Sequence, residues 1–199
     1  MAADILERLH AEHQNFARFL YCFRHQISGF GNPDEETNIS LILDMLDYIN
    51  AYPERWHHPV EDIIFARLLT KEFDQKAVVE SVMEDHQKLE TLTDKLRADF
   101  GSVVMDVAIH VEELKAEAQD YLDAQFAHLD IEEGEIYPLV EEHFDDSDWA
   151  ELEEQLRGEE DPLFDQTRNQ YDHLLSAITS FETGLDRKYT RITVDEDLD

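Results

Sequence analysis

The chain has little of what would make it anything but helical. Among 199 residues there are six glycines and five prolines, too few to punctuate a fold of many short strands, and strand-like runs are scarce. The single cysteine, Cys22, excludes an intramolecular disulfide. The opening MAADILERLHAEH carries charge where a secretory leader needs an apolar run, so a cytoplasmic protein is expected. No stretch nears the roughly 18 uninterrupted apolar residues that span a bilayer. Basic residues are also short. Sixteen Lys and Arg against 48 Asp and Glu leave a formal charge of −32, a field that repels nucleic acid and anionic lipid and excludes both as partners.

What is present is helical material. Leucine, alanine and glutamate are abundant, and apolar residues fall at alternating steps of three and four. The length suits one domain with a core, or a domain with a helical appendage. Gly29, Gly31, Gly101, Gly158 and Gly184 read as helix ends. The sequence therefore predicts an all-α fold in which residues 1–143 form an antiparallel up-down-up-down four-helix bundle. Its helices are expected at Asp4–Ser28, Glu35–Thr70, Asp74–Phe100 and Asp106–His143. A helical appendage is expected over 144–185, as Asp148–Arg157 and Pro162–Thr183, and then an acidic, flexible tail over 186–199.

The inward stripes carry the functional signal. In the first helix the stripe is Leu6, Leu9, His13, Phe16, Leu20, Phe23 and Ile27. In the third it is Val79, Val82, His86, Leu89, Thr93, Leu96 and Phe100. Each is apolar apart from a histidine, with Thr93 the one further polar member. The second helix gives Ile39, Leu43 and Leu46, then His57, Glu61, Ile64 and Leu68. The fourth gives Val107, Val111, Leu114, Ala118, Tyr121, Gln125, His128, Glu132, Glu135 and Leu139.

A lone inward histidine is ordinary core, but His57 with Glu61 and His128 with Glu132 are spaced i, i+4. That spacing puts an imidazole and a carboxylate one turn apart on one face. A buried carboxylate costs several kcal/mol unless neutralised, and the inward faces offer no lysine or arginine. A metal cation would serve.

Counting from the shared turns places His13, His57 and His86 at one level. His128 is offset by about two turns, roughly 9 Å at 1.5 Å per residue, which an early start of the fourth helix would explain. Pro59 must kink the second helix, so His58 competes with His57 for the inward position, and the stripe favours His57. His10, His25, His110, His143 and His173 have no matched carboxylate and read as surface or ordinary packing. Gln125 and Tyr121 are expected as outer hydrogen-bonding partners. Four imidazoles with two or three carboxylates and no thiolate suit iron or manganese better than a structural zinc, and there are more ligands than one ion needs.

The segments LHAEHQNF, HHPVEDIIFARL, EDHQKLETL and HLDIEEGEIYPLV resemble the hemerythrin family, in particular its bacterial HHE cation-binding branch. The resemblance covers about residues 4–143. It implies two iron ions (Fe2+/Fe3+) held by His13, His57, Glu61, His86, His128 and Glu132, bridged by oxo or hydroxo groups and carboxylates, with manganese or zinc as alternatives. Glu90 stands where oxygen carriers have a further histidine, which lowers the expected histidine count from five to four. Glu132 and Glu133 are four and five residues after His128, where carriers place an aspartate at five. His58, Glu90 and Glu133 are thus possible additional ligands. The departures imply oxidation or oxygen activation rather than clean reversible carriage.

The function expected is binding or sensing of dioxygen or a related small oxidant. Alternatives are an iron reservoir or sensor, and handling of peroxide or nitric oxide, for which no reductase domain is evident. A protein partner or a second copy could dock through the appendage.

Overall fold

The computed structural model describes residues 2–32, 37–156 and 172–194. It divides into two units, Met1–Asp161 and Pro162–Asp199. In the first, α1 spans Ala2–Gly29, α2 Ile39–Ala51, α3 His58–Leu68, α4 Lys76–Val104, α5 Val111–Ile131, α6 Tyr137–His143 and α7 Asp146–Leu156. A π-helical turn, Pro53–His57, joins α2 to α3, and a second, Glu132–Ile136, joins α5 to α6. The second unit is described by α8, Asp172–Val194. No strand occurs among the described residues, and no helix among them is long and apolar enough to cross a membrane.

Packing follows the apolar stripes. α2 lies on α4, α4 on α5, α5 on α1, and α3 on α6. The stripe of α4 is buried at every expected position, from Val79 to Phe100. Along α1 and α4 apolar core flanks a polar middle on both sides: Leu6 and Leu9 precede His13 and Leu20 to Ile27 follow it, while Val79 and Val82 precede His86 and Leu96 and Phe100 follow it. Removing these apolar faces from water drives the helices together and fixes the depth of the polar layer between them.

The two π-turns answer two prolines. Proline has no N–H and its ring crowds the carbonyl four residues back, so an ordinary helix cannot pass through Pro59 or Pro138. The residue before each closes a wider i→i+5 turn instead: His58 N–H bonds Pro53 O, and Tyr137 N–H bonds Glu132 O. The extra residue turns neighbouring side chains inward together, as π-bulges do at functional sites. Thus His57 and His58 are both buried. In the second turn the register moves off Glu135, which is exposed, onto Ile136 and Tyr137.

Several expectations are corrected. Helix α4 runs through Gly101, and Gly184 lies inside α8, so neither glycine ends its helix; Gly158 lies outside the described residues. Helix α5 begins at Val111, not at Asp106, and Val107 is exposed. His86 is therefore 18 residues before the end of α4 and His128 is 17 after the start of α5, and the two-turn offset disappears. The start was late rather than early. α8 continues to Val194, past the point where periodicity fades in the sequence. Of the expected segment Pro162–Thr183, residues 162–171 lie outside the described residues.

Helix α7 packs within the first unit. Trp149 and Leu152 join the core of Leu6, Leu9, Ile64, Leu68 and Val140. Its start is fixed by reciprocal caps, Asp145 N–H to Asp148 Oδ2 at 2.9 Å and Asp148 N–H to Asp145 Oδ1 at 3.1 Å. The buried Asp148 carboxylate also accepts from Arg67 Nε at 2.7 Å and Lys71 Nζ at 2.5 Å, so its pKa falls to about 2 although burial opposes the shift.

Candidate metal centre

Five buried histidines and two fully buried glutamates meet in the polar layer: His13, His57, His58, His86, His128, Glu61 and Glu132. They come from α1, the first π-turn, α3, α4, α5 and the second π-turn. Three groups have ligand atoms within 4.8 Å of one another: His13, His57 and Glu61; His58, His86 and His128; and Glu61, His86 and Glu132. The centre thus has a two-imidazole half and a three-imidazole half, with the two carboxylates between them.

Distances show how the carboxylates span the halves. On one side Glu61 Oε1 lies 3.3 Å from both His13 Nε2 and His57 Nε2, and Glu132 Oε2 lies 3.5 Å from His13 Nε2. On the other, Glu132 Oε1 is 3.2 Å from His86 Nε2 and from His128 Nε2, and Glu61 Oε2 is 3.6 Å from His86 Nε2. His13 and His57 approach Nε2 to Nε2 at 2.7 Å. The His58 ring stacks on His86 with centroids 4.3 Å apart, and His128 meets His86 edge-on at 4.9 Å.

Carboxylates behind the rings aim these nitrogens inward. Nδ1 of His13 is bonded to Glu133 at 2.8 Å, that of His57 to Glu12 at 2.9 Å, that of His86 to Asp62 at 2.8 Å and that of His58 to Glu54 at 3.3 Å. Such partners fix the tautomer and plane of a ligating imidazole. Glu54 Oε1 also accepts from Thr93 at 3.4 Å; the Thr93 hydroxyl is 2.8 Å from that of Tyr121, which accepts from Gln125 Nε2 at 2.8 Å. Tyr121 and Gln125 therefore support the centre at the far end of this chain.

Charges within the layer are strongly coupled. Burial disfavours a charged imidazole, yet Glu133 and Glu61 raise His13 to about 9, Glu61 and Glu12 raise His57 to about 10, and Asp62 and Glu132 raise His86 to about 10. His58 goes the other way, held neutral by burial and by the charge on His86. Burial and the nearby Glu90 push Glu54 up to about 8. Despite burial, His57 and His13 keep Glu61 ionised, and His128 and His86 do the same for Glu132. A cation would compete with protons for the imidazoles of His13, His57 and His86.

Even so, protons do not satisfy the layer. Glu61 Oε2, Glu132 Oε2 and both ring nitrogens of His128 are buried without a hydrogen-bond partner. Leaving one buried polar atom unpaired costs about 1–3 kcal/mol, and a cation would partner both of these oxygens and one nitrogen of the His128 ring, so the cluster fits a cation. Nitrogen and carboxylate oxygen without thiolate form a donor set that fits divalent or trivalent first-row ions.

All six residues expected as ligands, His13, His57, Glu61, His86, His128 and Glu132, are brought together. His58 joins them, so the choice between His57 and His58 is corrected: the π-turn delivers both, and five imidazoles converge rather than four. Glu90 is exposed and belongs to none of the three ligand groups, though its charge acts on Glu54. Glu133 lies behind His13 and also bonds the half-exposed His10 at 2.7 Å. His25, His110 and His173 are exposed, and His143 stacks on Phe73. Sequence reasoning missed Glu12, Glu54, Asp62 and Tyr137. Of these, Glu54 was legible, since Glu54 and His58 share the i, i+4 spacing of His57 and Glu61.

The family model for the hemerythrin HHE cation binding domain matches residues 4–140. No curated protein and no solved structure matches the chain.

Proposed function

Because the chain belongs to the hemerythrin HHE cation-binding family, we propose that its buried layer holds two iron ions and binds or senses dioxygen or a related small oxidant. The domain is a metal-cation binding domain with buried His and Glu clusters able to hold metal. The observation that carries the two-ion reading is the pair of imidazole groups sharing Glu61 and Glu132, whose four oxygens divide between the halves. One ion would have His13 and His57, the other His58, His86 and His128. The packing order of the long helices supports an up-down-up-down four-helix arrangement around them.

Iron held there would supply reversible electron exchange with dioxygen or a related oxidant. The chain does the rest. The flanking apolar core keeps bulk water from the layer, the carboxylates behind the rings of His13, His57, His58 and His86 keep the Nε2 of each aimed inward, and Glu61 and Glu132 hold the halves together. A fifth imidazole, if His58 ligates, would make the set richer in nitrogen than the expected four, which supports reversible binding beside oxidation.

The test is metal analysis with optical spectra. Reduced, iron-loaded protein prepared anaerobically should contain about two irons per chain and change its absorption when dioxygen is then admitted. Glu132→Ala should lose at least one iron, and His173→Ala none. Equal metal content in all three proteins would refute the assignment. Iron uptake and release with no response to dioxygen would favour the reservoir reading instead.

A further inference from the structure

The two halves of the centre use one local device twice and differ at a matched position. Each π-turn closes on the residue preceding a proline, His58 before Pro59 and Tyr137 before Pro138. Both residues point inward, 4% and 6% exposed. His58 brings an imidazole to the three-imidazole half. Tyr137 brings a phenol to the other: its Oη donates to Glu61 Oε1 at 2.6 Å and lies 3.3 Å from His13 Nε2. Its ring stacks on that of His13, with centroids 5.3 Å apart and planes 7° from parallel.

These contacts fall on one half only. Glu61 reaches both halves, one oxygen each, and Tyr137 grips the oxygen that faces His13 and His57. The same phenol fixes the plane of the His13 ring. A hydroxyl donating to a buried carboxylate makes a strong, directional hydrogen bond that opposes rotation of the carboxylate.

We infer that Tyr137 is a positioning residue that sets the affinity and exchange rate of the ion in the His13 and His57 half, and acts on the ion in the other half only weakly, through the second oxygen of Glu61. The inference rests on the two-ion reading above and deepens it. It makes the halves kinetically distinct, one retained by three imidazoles and one by a hydroxyl-locked carboxylate.

The test loads the full chain with cobalt(II), challenges it with excess chelator and follows release optically. Wild type should release cobalt in two phases. Tyr137→Phe keeps the stacked ring and loses only the hydroxyl; it should speed one phase by about tenfold, the worth of one charge-assisted hydrogen bond, and leave the other within about twofold. His58→Ala should speed or abolish the other phase. Tyr137→His, which copies the His58 position, is the second variant and should slow the phase that Tyr137→Phe speeds.

Both phases accelerating together in Tyr137→Phe, or neither changing, would overturn the inference. An unchanged rate in Tyr137→His would do the same. So would a visible phenolate band in the iron(III)-loaded wild type that Tyr137→Phe lacks, since Tyr137 would then be a ligand. A wild-type chain that takes up no cobalt would overturn the two-ion reading, and this inference with it.

Discussion

Adding metal to the stripped protein should stabilise it, and the layer sets the size of the effect. Without a cation, Glu61 Oε2, Glu132 Oε2 and both ring nitrogens of His128 are buried without a hydrogen bond. A cation partners both oxygens but only one nitrogen of the ring, so it relieves three such atoms at about 1–3 kcal/mol each, and the lower bound is about 3 kcal/mol. For a chain of this size one kcal/mol moves the melting midpoint by roughly 2–4 °C, so loading should raise it by about 6–12 °C. The assay is thermal melting followed by circular dichroism at pH 7, on chelator-stripped protein with and without added iron(II) under anaerobic conditions. Chelation of the loaded sample should restore the lower midpoint. A midpoint that iron leaves within about 2 °C would show that the layer satisfies itself, and the case for a cation would fall.

Three further outcomes follow from particular contacts. His57→Ala and His58→Ala should each lose about one of two irons, because their rings serve different halves, whereas Glu90→Ala should keep both; iron analysis of the purified variants decides. Asp148→Asn should destabilise the stripped protein at pH 7 by about 2 kcal/mol, from the fall of a fully buried carboxyl from 3.8 to about 2. Because its folded pKa is depressed, that contribution is present above about 3.8 and lost as pH falls through about 2, so urea melts of wild type and variant should converge there; a gap independent of pH would refute the ion-pair account. Gly31→Ala should cost about 1–3 kcal/mol, since Gly31 has φ +80° and an added Cβ would meet the Val111 side chain. Gly134→Ala, with open space around it, should be neutral or stabilise by up to about 1 kcal/mol; equal urea midpoints for both variants would refute the contrast.

The stripes of α1 and α4 could be read directly because an unbroken helix keeps its period, so His13 and His86 were visible as inward residues. Glu61 and Glu132 were equally plain from their i, i+4 histidines. Reading failed where the period breaks. A single stripe drawn through Pro59 must choose between His57 and His58, and one drawn through Pro138 lands on Glu135 instead of Tyr137, because the π-turn adds a residue that no regular count contains. Glu12 and Asp62 escaped for a different reason: each serves a histidine on another segment of chain, so neither has a local spacing to reveal it.

The amino-acid order alone determined the helical class, the depth of the polar layer and most of the residues in it, since these depend on period and burial along one helix at a time. Tertiary structure decided which imidazoles share a half, which carboxylate stands behind each ring and where the phenol sits. Those are distances between helices, and they exist only once the apolar faces have packed.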